Sequence, residues 1–233
     1  HSMYTDSALA QIAGHFSLRG DITAIKPLGE GFINDTFVIS TPTGFTDYIL
    51  QRKNRNVFPD IPAMMENISK VTDHMRHRVQ LAGGNPDREV MRVVPTRDGK
   101  LYFLDEAGEY WTVSEYIPDT ICYSKADTPE LARQGGIGIG HFQALLSDFN
   151  EQLTDTIKGF HNIRHRLCQW DDTLRRDPVG RVKDLKEEIA WIESRRTRML
   201  SFWEKVENGE IPTRVTHNDT KISNILFDKS GDA

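Results

Sequence analysis

The 233-residue chain predicts an α+β fold in two lobes: an antiparallel sheet with one long helix, followed by a mostly helical half. Three observations predict it. Period-two apolar patterns crowd the first half and flank a single long helical stripe. Helical patterns dominate after Pro118. Near the C-terminal end, a polar loop leads into an apolar strand. The length suits one large domain or two lobes with a real core.

The elements follow in order. Residues 5–19 read as a helix, because Ala8, Leu9, Ile12, Ala13 and Phe16 form a stripe and Gly20 offers a stop. Segments 22–28, 36–40 and 47–53 read as strands, with Gly29, Glu30 and Gly31 in the first turn and Pro42, Thr43 and Gly44 in the second. A helix is predicted over 61–82: Pro62 sits in its first turn, Ile61, Met64, Met65, Ile68, Val71, Met75 and Val79 make a stripe, and Gly83-Gly84 ends it. Strand patterns return at 90–96, 101–104 and 110–117, with Asp98-Gly99 as the hairpin turn between the first two. A linker over 114–119 leads to helices at 129–150, 161–174 and 182–207. The expected lobes are 1–116 and 117–233.

Composition narrows the class. Charged residues are 27% and hydrophobic residues 38%, as in ordinary globular proteins. A net charge of −5 gives no general attraction to nucleic acid or to anionic membranes. The longest stretch without Asp, Glu, Lys or Arg, 134–147, is too short and glycine-broken to span a bilayer. No signal peptide is visible, and Met3 is the expected native start. Cys122 and Cys168 match no metal spacing and read as reduced thiols, so the expected location is cytoplasmic. The expected partner is a small-molecule substrate.

The chemistry concentrates in His217-Asn218-Asp219-Thr220-Lys221-Ile222-Ser223-Asn224. It reads H-x-D-x-K-x-x-N, the pattern of a kinase catalytic loop. Asp219 can accept the proton of a substrate hydroxyl. Lys221 can reach the transferring phosphoryl group. Asn224 offers a neutral oxygen to Mg²⁺, a hard cation that takes oxygen ligands. His217 would hold the loop's backbone.

The element order is therefore that of a protein-kinase-like two-lobed fold. Gly29 and Gly31 flank a turn where backbone N–H groups can approach phosphate closely. Such a fold also needs a cation on the third strand and a carboxylate on the helix. By alternation Arg52 shares a face with Tyr48 and Leu50, while Gln51 and Lys53 share the other. Arg52 is the candidate cation; the alternative is that Gln51 fills the usual lysine position, as a departure. Glu66 is the candidate carboxylate. The pairs His74/His77 and His161/His165 could each share a helix face, but Asn162 stands where H-E-x-x-H needs glutamate, and zinc is not expected.

Gly31–Phe37, Tyr48–Arg52, Asn56–Asp60, Glu66–Ile68, Ser114–Ile117, Phe160–Asn162 and His217–Lys221, in this order, resemble the aminoglycoside phosphotransferase and choline kinase superfamily. Within it the chain is most similar to N-acetylhexosamine 1-kinases. The resemblance implies ATP- and Mg²⁺-dependent phosphorylation of a sugar at its anomeric hydroxyl, with Asp219 as base and Asn224 as metal ligand. It also implies that the backbone of Glu115, Tyr116 and Ile117 holds adenine, and that Asn34 and Asp35 lie near phosphate or sugar. The superfamily has a second metal-binding aspartate on the strand after the catalytic loop. Asp228 and Asp232 do not fit that role, so the chain is expected to be C-terminally incomplete and nearly inactive as it stands. Other acceptors (choline, ethanolamine, homoserine or an aminoglycoside) and a non-catalytic nucleotide-binding pseudokinase are the alternatives. A sulfatase is excluded, because no C/S-x-P-x-R segment is present.

Overall fold

A computed structural model describes residues 4–29 and 33–230. Helix α1 (Asp6–Ala13) opens on Thr5, whose Oγ1 accepts from Ala8 N at 3.1 Å. It is shorter than its apolar stripe. The chain leaves the helix at Gly14, and Phe16 forms an isolated bridge with Thr96. Phe16 thus reaches the same core as α1 without being part of the helix.

The main sheet is antiparallel. It contains β1 (Ala24–Pro27), β2 (Asp35–Ser40), β3 (Tyr48–Lys53), β4 (Val93–Val94), β5 (Phe103–Leu104) and β6 (Tyr110–Glu115). The order is β1-β2-β3-β6-β4, and β5 also pairs with β6. In the key register, Thr36 lies opposite Gln51 and Gln51 opposite Thr112. The Asp98-Gly99 turn is present, with Gly99 at φ +84° and Thr96 N donating to Lys100 O at 2.7 Å. Yet β4 and β5 pair with β6 and are only two residues long each. Residues beyond β4 spend their hydrogen bonds elsewhere: Ser17 N donates to Pro95 O and Arg97 N to His15 O.

Helix α2 (Ile61–Leu81) follows β3. Asp60 caps it by accepting from Ala63 N at 3.1 Å, and Pro62 occupies its first turn. A short α3 (Pro86–Glu89), absent from the sequence reading, begins at the Asn85 cap. After the linker, β7 (Thr120–Ile121) pairs antiparallel with β8 (Phe227–Asp228). Helix α4 (Pro129–Leu145) stops five residues short of expectation, the chain turning back as Phe149 N donates to Leu146 O. The Gly135 stretch of α4 faces the β8 segment: a Cβ there would lie in ordinary van der Waals contact, 3.8 Å from Phe227 and Ile225.

Two cores result. In one, Leu9, Ile12, Ala13 and Phe16 pack on Phe37, Ile39, Tyr48, Leu50, Trp111 and Val113 of the sheet. In the other, Met75 and Val79 of α2 meet Val90, Leu145 and Leu146. Arg88 of α3 works as a clamp: its Nη2 donates to Asp228 Oδ2 at 2.8 Å and to Asp119 O at 3.1 Å, and its Nη1 donates to Pro118 O.

The chain packs as two compact units, one built from residues up to Thr156 and from Val215 onward, the other from Ile157–Arg214. The lobe boundary expected at 116/117 lies inside the first unit and stays a proposal. The second unit holds α5 (Ile163–Arg176), α6 (Lys186–Glu193) and α7 (Arg196–Glu207). The single helix predicted over 182–207 is thus broken. At the break, Ser194 Oγ and Arg195 Nη1 both donate to Trp191 O, and the Arg195 guanidinium lies 3.6 Å over the Trp191 ring. Side chains there take the carbonyl that a continuing helix would use. Among the described residues no helix is long and apolar enough to cross a membrane.

Replacing Asp60 with alanine removes the α2 cap and should cost about 1 kcal/mol of stability in chemical denaturation. Arg88→Met should speed amide hydrogen exchange at 119–121 and 227–229 while changing global stability by no more than about 1 kcal/mol, since the ion pair is partly exposed.

Candidate functional site

The loop over 217–224 is wired internally. Asn224 Nδ2 donates to Asp219 Oδ2 at 2.8 Å and to Asp219 O at 3.0 Å. Asp219 N donates to His217 Nδ1 at 3.3 Å, and the His217 ring meets the Phe142 ring of α4 edge-on at 5.5 Å. Asn218 adopts φ +67°, with its Oδ1 accepting from Thr216 Oγ1 at 2.7 Å. An asparagine tolerates this left-handed turn better than most residues. Lys221 Nζ stands 3.7 Å from Asp219 Oδ2. The structure thus brings His217, Asp219, Lys221 and Asn224 together.

Asp219, Asn224 and His217 line a cavity of about 420 Å³ together with Arg88, Asp228 and Ile117. Asn224 spends its amide nitrogen on Asp219, which leaves Oδ1 as the atom able to face a cation. That orientation fits one oxygen of a Mg²⁺ shell, the rest of which would be phosphate oxygens and water. Among the described residues, no group of three or more His, Cys, Asp and Glu could hold a metal by itself. Asp228 is engaged otherwise: Ser230 N and then Arg88 hold its carboxyl down to about 2.

The sheet carries a second polar group of residues. Asn34 Oδ1 accepts from Asn54 N at 2.9 Å, tying the residues before β2 to the end of β3. Arg52 lies on the α1 side of β3: its Nε donates to Asp35 Oδ2 at 2.8 Å, and its guanidinium lies 5.8 Å from the Tyr4 ring centre. Glu66 is exposed and pairs with Lys70 of its own helix at 3.5 Å. The described contacts therefore do not join Arg52 to Glu66. Nor do Asn34, Asp35, Arg52 or Glu66 line the larger cavity. Gly29 adopts φ +64° with open space around it; Gly31 lies outside the described residues, as does Asp232.

Of the segment expected to hold adenine, Glu115 N donates to Arg92 O and Tyr116 N to Asp47 O, while Ile117 O accepts from Thr120 Oγ1 at 3.0 Å. Two residues that the sequence reading did not select stand out. Arg88 reaches the cavity only because α3 exists, and nothing in the apolar pattern marks α3. Lys53 sits on the face opposite Arg52, where its Nζ donates to Gln51 Oε1 at 2.8 Å. Alternation already put it there; its burial is tertiary.

The sequence profile of the phosphotransferase enzyme family matches residues 24–233. Two solved structures are similar. One is an aminoglycoside phosphotransferase from Alicyclobacillus acidocaldarius subsp. acidocaldarius DSM 446, at 14% identity and TM-score 0.54, covering 100% of this chain and 65% of that one. The other is a spectinomycin phosphotransferase in complex with ADP and spectinomycin, at 11% identity and TM-score 0.47, covering 97% of this chain and 66% of that one. The chain thus spans slightly less than two thirds of either protein. The first likeness agrees with the α+β, protein-kinase-like fold built above. With nine-tenths of its length inside the family profile, the chain belongs to the phosphotransferase enzyme family.

Proposed function

We propose that the protein is an ATP- and Mg²⁺-dependent kinase of a small hydroxyl-bearing molecule, and that its acceptor is the anomeric hydroxyl of an N-acetylhexosamine. The observation that carries the kinase reading is the wiring of Asp219. Asn224 holds its carboxylate and the His217 ring accepts from its backbone N–H, at the wall of a cavity, while Lys221 stands beside it. An acceptor hydroxyl gives its proton to Asp219 as its oxygen attacks the terminal phosphorus and ADP departs. Lys221 offsets the charge of the transferring group, and Asn224 Oδ1 would hold Mg²⁺, which supplies charge neutralisation between phosphates. Positioning and electrostatics do most of the work in such a transfer. Support for the amino sugar comes from the sequence resemblance. The similar aminoglycoside phosphotransferase keeps aminoglycosides as a second acceptor class to assay.

With the full natural chain, ATP and Mg²⁺, N-acetylglucosamine and N-acetylgalactosamine should give sugar 1-phosphates, detected by mass and by phosphorus NMR. Asp219→Asn should lower kcat by roughly 10²–10⁴-fold while leaving ADP affinity unchanged. No product from either sugar, with an aminoglycoside turned over instead, would replace the acceptor and keep the kinase. Asn224→Ala should raise the Mg²⁺ concentration needed for half-maximal rate about tenfold or more, read from a metal titration at saturating ATP.

A further inference from the structure

We infer that segment 148–154 is a releasable strap, clasped to one stripe of α2. It lets the entry to the second unit come loose while the exit, at Val215, stays anchored beside the Asp219 loop. The stripe is made of Asn67, Lys70, His74 and Arg78. They follow one another at offsets of three, four and four, which puts them on one face of α2. All four grip the strap. Asp148 Oδ1 lies 2.8 Å from His74 Nε2 and accepts from Arg78 Nη1. The Phe149 ring meets the His74 ring edge-on at 5.3 Å. Lys70 Nζ donates to Gln152 O at 3.1 Å. Asn67 closes the series with both ends of its carboxamide: Nδ2 donates to Thr154 O at 2.7 Å, and Oδ1 accepts from Thr154 N at 2.9 Å. The strap therefore runs antiparallel to α2.

Among the described residues, the backbone of 150–156 forms no hydrogen bond with another backbone group. Its main-chain partners are side chains instead: Lys70 for Gln152 and Asn67 for Thr154. These grips are polar and close to water, the Asp148 side chain being 58% exposed and that of Lys70 32%. Contacts of this kind contribute little each, so opening the strap costs far less than unfolding the cores it lies on. The exit is built differently. Val215 packs on the apolar cluster of Met75, Val79, Val90, Leu145 and Leu146. It stands two residues before His217, so the fixed end of the connection adjoins the Asp219 loop. Phe149 packs on that same cluster at the start of the strap. Beyond it the two main-chain grips are polar, and Ile157 then opens the second unit.

Hydrogen exchange and native-state proteolysis of the whole chain test this. Glu151 is exposed between the clasps, and a glutamyl endopeptidase should cut after it, the fragments being read by mass. In the wild type that cleavage, and exchange of the Thr154 amide, should change little with low urea, because strap opening exposes little surface. Amides of β3 should exchange with a steep urea dependence. Asn67→Ala removes both Thr154 bonds and should raise cleavage and Thr154 exchange about tenfold or more. The amides of Asn224 and Ile225, which bond within the polar loop, should keep their rates. Lys70→Met, which removes the Gln152 grip, should also speed cleavage. A cleavage rate unchanged by Asn67→Ala would overturn the strap, and so would wild-type cleavage as steeply dependent on urea as β3 exchange. Equal acceleration at Thr154, Asn224 and Ile225 would overturn the separation of entry from exit. Where Asn67→Ala failed to fold, the wild-type urea profile and Lys70→Met would still decide. Neither readout needs acceptor or nucleotide, so the outcome is separate from the kinase reading.

Discussion

Strand β3 pairs along its whole length with β6 on one side and, for most of it, with β2 on the other. Its pleat divides six residues between two environments. Tyr48 and Leu50 go into the core closed by α1, with Arg52 at the rim against Tyr4 and Asp35. Ile49, Gln51 and Lys53 face the other way. A slip of one residue would exchange the two sets, burying Gln51 and Lys53 under α1 and expelling Leu50. Trp111 and Val113 of β6 lock the register from the neighbouring strand. Which side chains of the sheet can meet a ligand follows from that register.

The polar loop depends on a different support. Asp219 is oriented by residues close to it in sequence, but the loop as a whole rests on α4. Phe142 takes the edge of His217, and Phe227 and Ile225 lie against α4 at Gly135. The β7–β8 pair and the Arg88 clamp then tie this segment to the linker after β6. A strand, a helix and a loop from distant parts of the sequence thereby surround one cavity.

Much of this was legible in the chain. The stripe and caps of α2, the alternation of β2 and β3, and the H-x-D-x-K-x-x-N loop are local patterns, and each reappears close to its expected bounds. The misses share a cause. The helix expected over 5–19 ends at Gly14, the helix over 182–207 breaks where Arg195 and Ser194 take the Trp191 carbonyl, and the strand over 90–96 shrinks because its flanks bond to residues 15–17. In every case a hydrogen-bonding group found a partner that apolar periodicity does not record.

By itself the sequence determined which residue types could do phosphoryl-transfer chemistry, and their spacing within one loop. It also determined the two faces of β3, since alternation is a property of the extended backbone alone. Only the tertiary structure decided how the cations of Arg52-Lys53 are partnered. Asp35 and Tyr4 reached Arg52, while Lys53 was left partly desolvated beside an uncharged glutamine. Charge pairing is settled by residues far apart in the chain, and a local pattern cannot announce it.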